Sequence, residues 1–203
     1  MANISFNPAL TTQPQNSFQV ETQGYTQGLT ADDPVSRMWL QAGQVGSGVT
    51  QPIWGGMGVA INSGGIPKGA MPSPAVTLAT TTELQGFTVF DQANSMQIVP
   101  GNSVPTAVAG QSVAFYQFGS NARIPLPLAS GVISSIASAA SSVALYWDTS
   151  AFNLTNASSG TTVALPSTVK LLAVDANSKT VSYDSGTGAV TWAYGQDVAL
   201  IQI

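Results

Sequence analysis

Side chains able to do acid–base, nucleophilic or metal chemistry are few and scattered in this sequence. The chain has 203 residues, with nine Asp and Glu, five Lys and Arg, and neither His nor Cys. Without His and Cys, Ser–His and Cys–His nucleophile pairs are excluded, as are thiolate and imidazole zinc sites. Glycoside hydrolysis by two carboxylates stays formally open. The acids sit apart, however, except for Asp32–Asp33, which a helix cap explains better. The stretch "DANSKTVSYD" has the Asp-x-Asn spacing of a calcium loop at Asp175 and Asn177. Lys179 falls where a further oxygen ligand is needed, and the central glycine and closing glutamate are missing, so a β-turn is expected there. The glycines of "WGGMG" are followed by neither Lys-Ser/Thr nor a helix start, so they make no phosphate cradle. The chain reads as non-enzymatic, with no catalytic residue, metal or cofactor expected.

The cations raise a different question. One of only two arginines, Arg123, stands in "SVAFYQFGSNARIPL", after three aromatics and a small polar turn and before a proline-broken apolar run. A planar guanidinium can satisfy several oxygen acceptors at once. Arg123 is therefore expected to bridge a strand end to carboxylates or carbonyls, within the fold or across a subunit contact. Charged residues make up 7% of the chain, against about a quarter in ordinary soluble domains. Such a surface packs against a copy or a partner without burying many ions. A formal charge of −4 with five basic residues cannot neutralise a run of phosphates, so nucleic acid is not an expected partner. The uncharged stretch 124–147 is long enough to span a bilayer. Its prolines, serines and alanines make it too weakly apolar, and no membrane partner is expected. The N-terminus lacks the charged-then-apolar pattern of a secretory signal.

These residues need elements to position them. Residues 1–30 are rich in Gln, Thr and Asn, with isolated apolar side chains, among them Phe6, Phe18 and Tyr25, at no helical period. They read either as an extended arm that needs a surface or as a loose tail. The segment "DDPVSRMWLQAG" predicts one short helix, capped by Asp33, with Pro34 in its first turn and Val35, Met38, Trp39 and Ala42 on one face, ended by Gly43. Thereafter short β-branched or aromatic runs recur between Gly, Pro, Asn and Asp, which predicts a mainly β domain over 31–203, a sandwich or barrel of short antiparallel strands. Three glycines around Trp54 and Met57 suggest a bulge or a close backbone approach. "TVSYDSGTGAVTW" predicts a hairpin in which Val181 and Tyr183 answer Val190 and Trp192. Residues 128–144 fit a helix carrying Val132, Ile136 and Ala140, or loop and strand, and a break between two lobes would fall there. Tryptophans in such a fold usually pack the core, though indole faces can also stack on sugars.

Three stretches taken together resemble a family of tailed-bacteriophage structural proteins, the capsid decoration or cement proteins. They are "GYTQGLTADDPVSRMWLQAGQV" followed by "PIWGGMGV", then "GFTVFDQANSM" with "SVAFYQFGSNARIPL", and finally "VKLLAV" with "NSKTVSYDSGTGAVTW". The resemblance runs from about Gly24 to the C-terminus and is thinnest over 128–144. It implies a non-catalytic protein of the virion, located on the outer surface of the capsid. The implied partners are the major capsid protein and further copies of the chain, commonly as a homotrimer. On this reading Phe6, Phe18, Tyr25, Trp39, Trp54, Met57 and Arg123 are the candidate interface or anchoring residues. The competing reading is a β-rich carbohydrate- or receptor-binding module of a phage tail or spike, using exposed Trp or Tyr, for which loss of glycan binding on changing Trp54 or Trp147 would be the sign.

Overall fold

The computed structural model describes residues 24–30, 36–62, 74–91, 96–137 and 143–203. Phe6, Phe18, Asp33, Pro34, Val35 and Ala140 lie outside them. The fold is mainly β, with one short helix at Ile133–Ile136. Five strands form a closed barrel: β1 (Gln41–Val45), β2 (Gly58–Asn62), β3 (Ala75–Leu78), β4 (Gly86–Val89) and β5 (Ser112–Gln117), joined in the order β1-β3-β2-β4-β5 with β5 returning to β1. The pairs are antiparallel except β1 with β3, which run parallel. Closure leaves no free sheet edge in the barrel.

The run "SVAFYQ" shows why the barrel strands look apolar throughout rather than alternating. Val113 and Phe115 enter one core cluster, with Val45, Ile53, Trp54, Met57, Val59 and Val76. Ala114 and Tyr116 enter the other, with Phe87, Ile124, Leu126, Trp147 and Ile201. Successive side chains point to opposite faces, and here both faces are covered.

The second cluster is shared with two three-stranded sheets. One has the order β10-β11-β6, from β6 (Arg123–Pro127), β10 (Lys170–Tyr183) and β11 (Val190–Gln202); the other has the order β8-β7-β9, from β7 (Tyr146–Asp148), β8 (Asn153–Thr155) and β9 (Thr162–Ala164). Among the described residues, strand β6 pairs only with β11, placing Pro125 opposite Leu200 and Pro127 opposite Val198. Prolines without an N–H are tolerated on an edge of this kind. The apolar stretch 124–147 is accordingly divided among β6, the single-turn helix and the start of β7. Among the described residues, no helix is long and apolar enough to cross a membrane.

The expected hairpin is present, with Tyr183 opposite Val190 and Val181 opposite Trp192. Its turn is built by Asp184, whose carboxylate accepts from the Thr187 hydroxyl at 2.7 Å and the Gly186 N–H at 2.9 Å. The strands β10 and β11 are 14 and 13 residues long, longer than the short strands expected from the spacing of turn residues. Asp175, Asn177 and Ser178 lie inside β10, at a register shift. Asp175 Oδ1 accepts from the Asn177 N–H at 2.7 Å and the Ser178 hydroxyl at 3.1 Å. The turn chemistry expected of Asp and Asn thus makes a bulge within a strand rather than the end of one.

The helix expected over "DDPVSRMWLQAG" is not formed as read. Ser36–Trp39 is a single 3₁₀ turn, and Gln41–Val45 is strand β1. Ala42 and Gly43 pair with Ala114 and Val113 of β5, so Gly43 is not a helix terminator. Pairing with two neighbouring strands satisfies more backbone groups than a two-turn helix would, and it overrides a local pattern this short.

Candidate functional site

The described end of the N-terminal segment, residues 24–30, lies on its own chain. The Gly24 N–H donates to Asn177 O at 2.7 Å, the Lys179 N–H to Tyr25 O at 2.9 Å, and the Gln27 N–H to Lys179 O at 2.8 Å. Thr26 bridges Lys179 in parallel sense, which adds a short strand to the outer edge of β10. Tyr25 is half-buried there, its N–H donating to Ser178 Oγ at 3.0 Å.

Gln27 is the pivot of this docking. Its side chain is 1% exposed. Its Nε2 donates to Gly55 O at 3.1 Å, and its Oε1 accepts the Val181 N–H at 2.9 Å. One amide thereby joins the "WGGMG" loop to the hairpin. Buried polar groups are retained when both ends are paired, as here. A polar residue in a polar stretch carries no such signal in sequence, because its partners are far away along the chain.

Trp54 and Met57 are interior, at 2% and 0% exposure. Met57 Sδ accepts the Trp54 N–H at 3.4 Å, and the Thr88 hydroxyl accepts the Met57 N–H at 3.0 Å while donating to Trp54 O at 2.6 Å. Trp147 is fully buried, edge-on to Phe87 at 5.1 Å. Neither Trp54 nor Trp147 offers a free indole face for stacking on a sugar.

Trp39 differs. It is 59% exposed and its neighbour Met38 is 83% exposed, both on the 3₁₀ turn. The turn borders a hollow of about 320 Å³ lined by Thr30, Arg37, Leu40, Phe90, Asp91 and Tyr116. Arg123 begins β6 opposite Gln202, with its side chain exposed. Among the described residues its guanidinium has no hydrogen bond or ion pair.

A larger cleft, of about 910 Å³, lies between the β7–β8 turn, the end of β3 and the β10–β11 hairpin. Its β7–β8 wall is fixed by Asp148. Oδ1 accepts the Ser150 N–H and hydroxyl, each at 2.8 Å, and the Ala151 N–H at 3.0 Å; Oδ2 accepts the Thr161 hydroxyl at 3.1 Å. Burial pushes the Asp148 carboxyl up, but the hydrogen bonds from Ala151, Ser150 and Thr161 outweigh it and hold the group below its ordinary value of 3.8. A carboxyl depressed on folding stabilises the fold above that ordinary value, and the contribution is lost as pH falls through the folded-state pKa. Asp148→Ala is expected to cost about 1–2 kcal/mol at neutral pH. In urea unfolding the gap from the parent chain should close on acidification below 3.8; a gap that persists in acid would show that the carboxylate charge is not what holds the turn.

No group of three or more potential metal-ligating side chains occurs among the described residues. No protein-family model, curated protein or solved structure matches the chain.

Proposed function

We propose that the chain is a non-enzymatic structural protein of a tailed bacteriophage, binding the outer face of the capsid as a homotrimer and tying neighbouring copies of the major capsid protein together. The observation that carries this reading is the Met38–Trp39 turn, exposed at 83% and 59% on a chain with very few charges. Exposed tryptophans are costly in water and are the residues most often found at the energetic centre of protein interfaces. The turn lies within "GYTQGLTADDPVSRMWLQAGQV", one of the stretches that resemble the decoration proteins. The guanidinium of Arg123, without a partner among the described residues, supports the same reading, as a donor fork held for acceptors on another subunit. Trimeric attachment makes the second and third contacts intramolecular, which raises avidity by about 10²- to 10⁴-fold over a single contact.

Co-sedimentation of the purified chain with empty capsids of its own phage tests the reading. Saturable binding at about one copy per capsid subunit is expected. Trp39→Ala should weaken it by at least about 30-fold, the equivalent of a 2 kcal/mol interface centre, while leaving the melting temperature unchanged. Failure of the parent chain to bind shells, or full binding by Trp39→Ala, would remove the proposal.

A further inference from the structure

The 910 Å³ cleft has a volume in the range of small-molecule sites, roughly 300–1,000 Å³, and a lining whose chemistry is selective. Half-buried Phe152 and Tyr183 flank it, packed against Trp54 with ring centroids 6.0 and 5.5 Å away. Phe152 is held at φ 53°, a left-handed conformation that a bulky residue adopts only when its surroundings impose it. Asp197 is the one carboxylate of the lining, and neither lysine nor arginine is among its described residues. The remaining polar groups are neutral. Of these, the Asn153 amide and the Thr180 hydroxyl make no side-chain hydrogen bond to any described residue.

Two lining residues carry buried donors. Trp54 Nε1 and Gln51 Nε2 have no acceptor among the described residues. A buried N–H is normally paired, and both of these belong to residues of one cleft wall.

We propose that this cleft is a binding site for a neutral saccharide. Aromatic rings in the wall suit the apolar faces of pyranose rings. Free amides and hydroxyls suit their alcohols. The lack of a cation in the lining disfavours anionic ligands. A peptide strand is disfavoured for a different reason: the sheet edges nearest the cleft are already occupied. Gln27 Oε1 takes the Val181 N–H on β10, and Leu128 bridges Leu154 on β8. The site does not depend on shell binding.

Saturation-transfer NMR and tryptophan-fluorescence titration of the full chain against maltotriose, cellotriose, triacetylchitotriose and sialyllactose provide the test. At least one neutral trisaccharide is expected to bind in the micromolar-to-millimolar range. Tyr183→Ala and Asn153→Ala should each weaken it. Asn153→Ala is the deciding variant, because its side chain bonds to no described residue. The proposal is overturned if no neutral sugar binds at millimolar concentration, if Asn153→Ala leaves binding intact, or if only sialyllactose binds. It is equally overturned if a synthetic peptide of residues 1–23 occupies the cleft and no sugar does.

Discussion

Gly28→Ala is expected to destabilise the fold by about 3–5 kcal/mol, in the range reserved for backbone and packing conflicts. Two costs add. Gly28 has φ 72°, where a Cβ meets its own carbonyl at about 1–2 kcal/mol. A Cβ there would also overlap the Gly55 carbonyl carbon and come within 2.7 Å of Gly55 Cα and O. These are backbone atoms and cannot rotate aside. Nor can Gly28 retreat, since its N–H donates to Pro125 O and its carbonyl accepts the Phe90 N–H, both at 3.0 Å. Relief requires lifting the segment, which would strand the Gln27 amide, Gly55 O and the Val181 N–H. Gly110→Ala supplies the control: its φ is 87° and a Cβ there meets nothing within 4 Å. It should cost only the conformational term, about 1–2 kcal/mol. Equilibrium denaturation of both variants separates the two costs; equal losses would mean that residues 24–28 are not held against the barrel.

The second large effect is expected at Trp147. Its indole is fully buried, edge-on to Phe87, and lies over β2, where a Cβ on Gly58 would come within 2.5 Å of Nε1 and 2.9 Å of Leu84 Cδ1. Trp147→Ala removes the largest side chain shared by the barrel and the β8-β7-β9 sheet, at about 3–5 kcal/mol. Trp147→Phe should cost much less than the change in volume implies. Nε1 is buried and has no acceptor among the described residues, so losing it removes a desolvation penalty of about 1–3 kcal/mol. Unfolding midpoints of the two variants measure the difference. A phenylalanine as damaging as alanine would mean that the N–H is satisfied in solution.

Where the sequence pattern was dense, the fold could be read from it. The hairpin at 181–192 was legible because β-branched and aromatic residues alternate on either side of a glycine turn whose first residue, Asp184, supplies its own acceptor. The barrel strands were legible as strands, yet their order was not, because the parallel β1–β3 pair joins segments with no local signal connecting them. The 3₁₀ turn was misread as a helix since Met38, Trp39 and Ala42 have helical spacing. What decided the outcome was pairing of Gln41–Val45 with β3 and β5, a tertiary effect. The candidate sites divided similarly. Exposure of Trp39 and burial of Trp54 and Trp147 depend on which faces other elements cover, and residue type alone does not say. Gln27 and the cleft were hidden altogether, for their parts come from segments far apart along the chain.

The strand added to β10 has a bearing on synthesis. Tyr25 donates to Ser178 across 153 residues, and Val181 to Gln27 across 154. A ribosome adding about 5–20 residues per second makes the segment roughly 8–30 s before its partners exist. Until β10 emerges, the Gln27 amide has no Val181 N–H to accept, so this docking waits for the synthesis of β10. During that interval the outer edge of β10 in a nearby copy that has not yet docked its own segment is a competing template for the same residues. Crowding of nascent chains on one polysome therefore favours exchange of the segment between copies, whereas sparse initiation favours closure of each chain on itself.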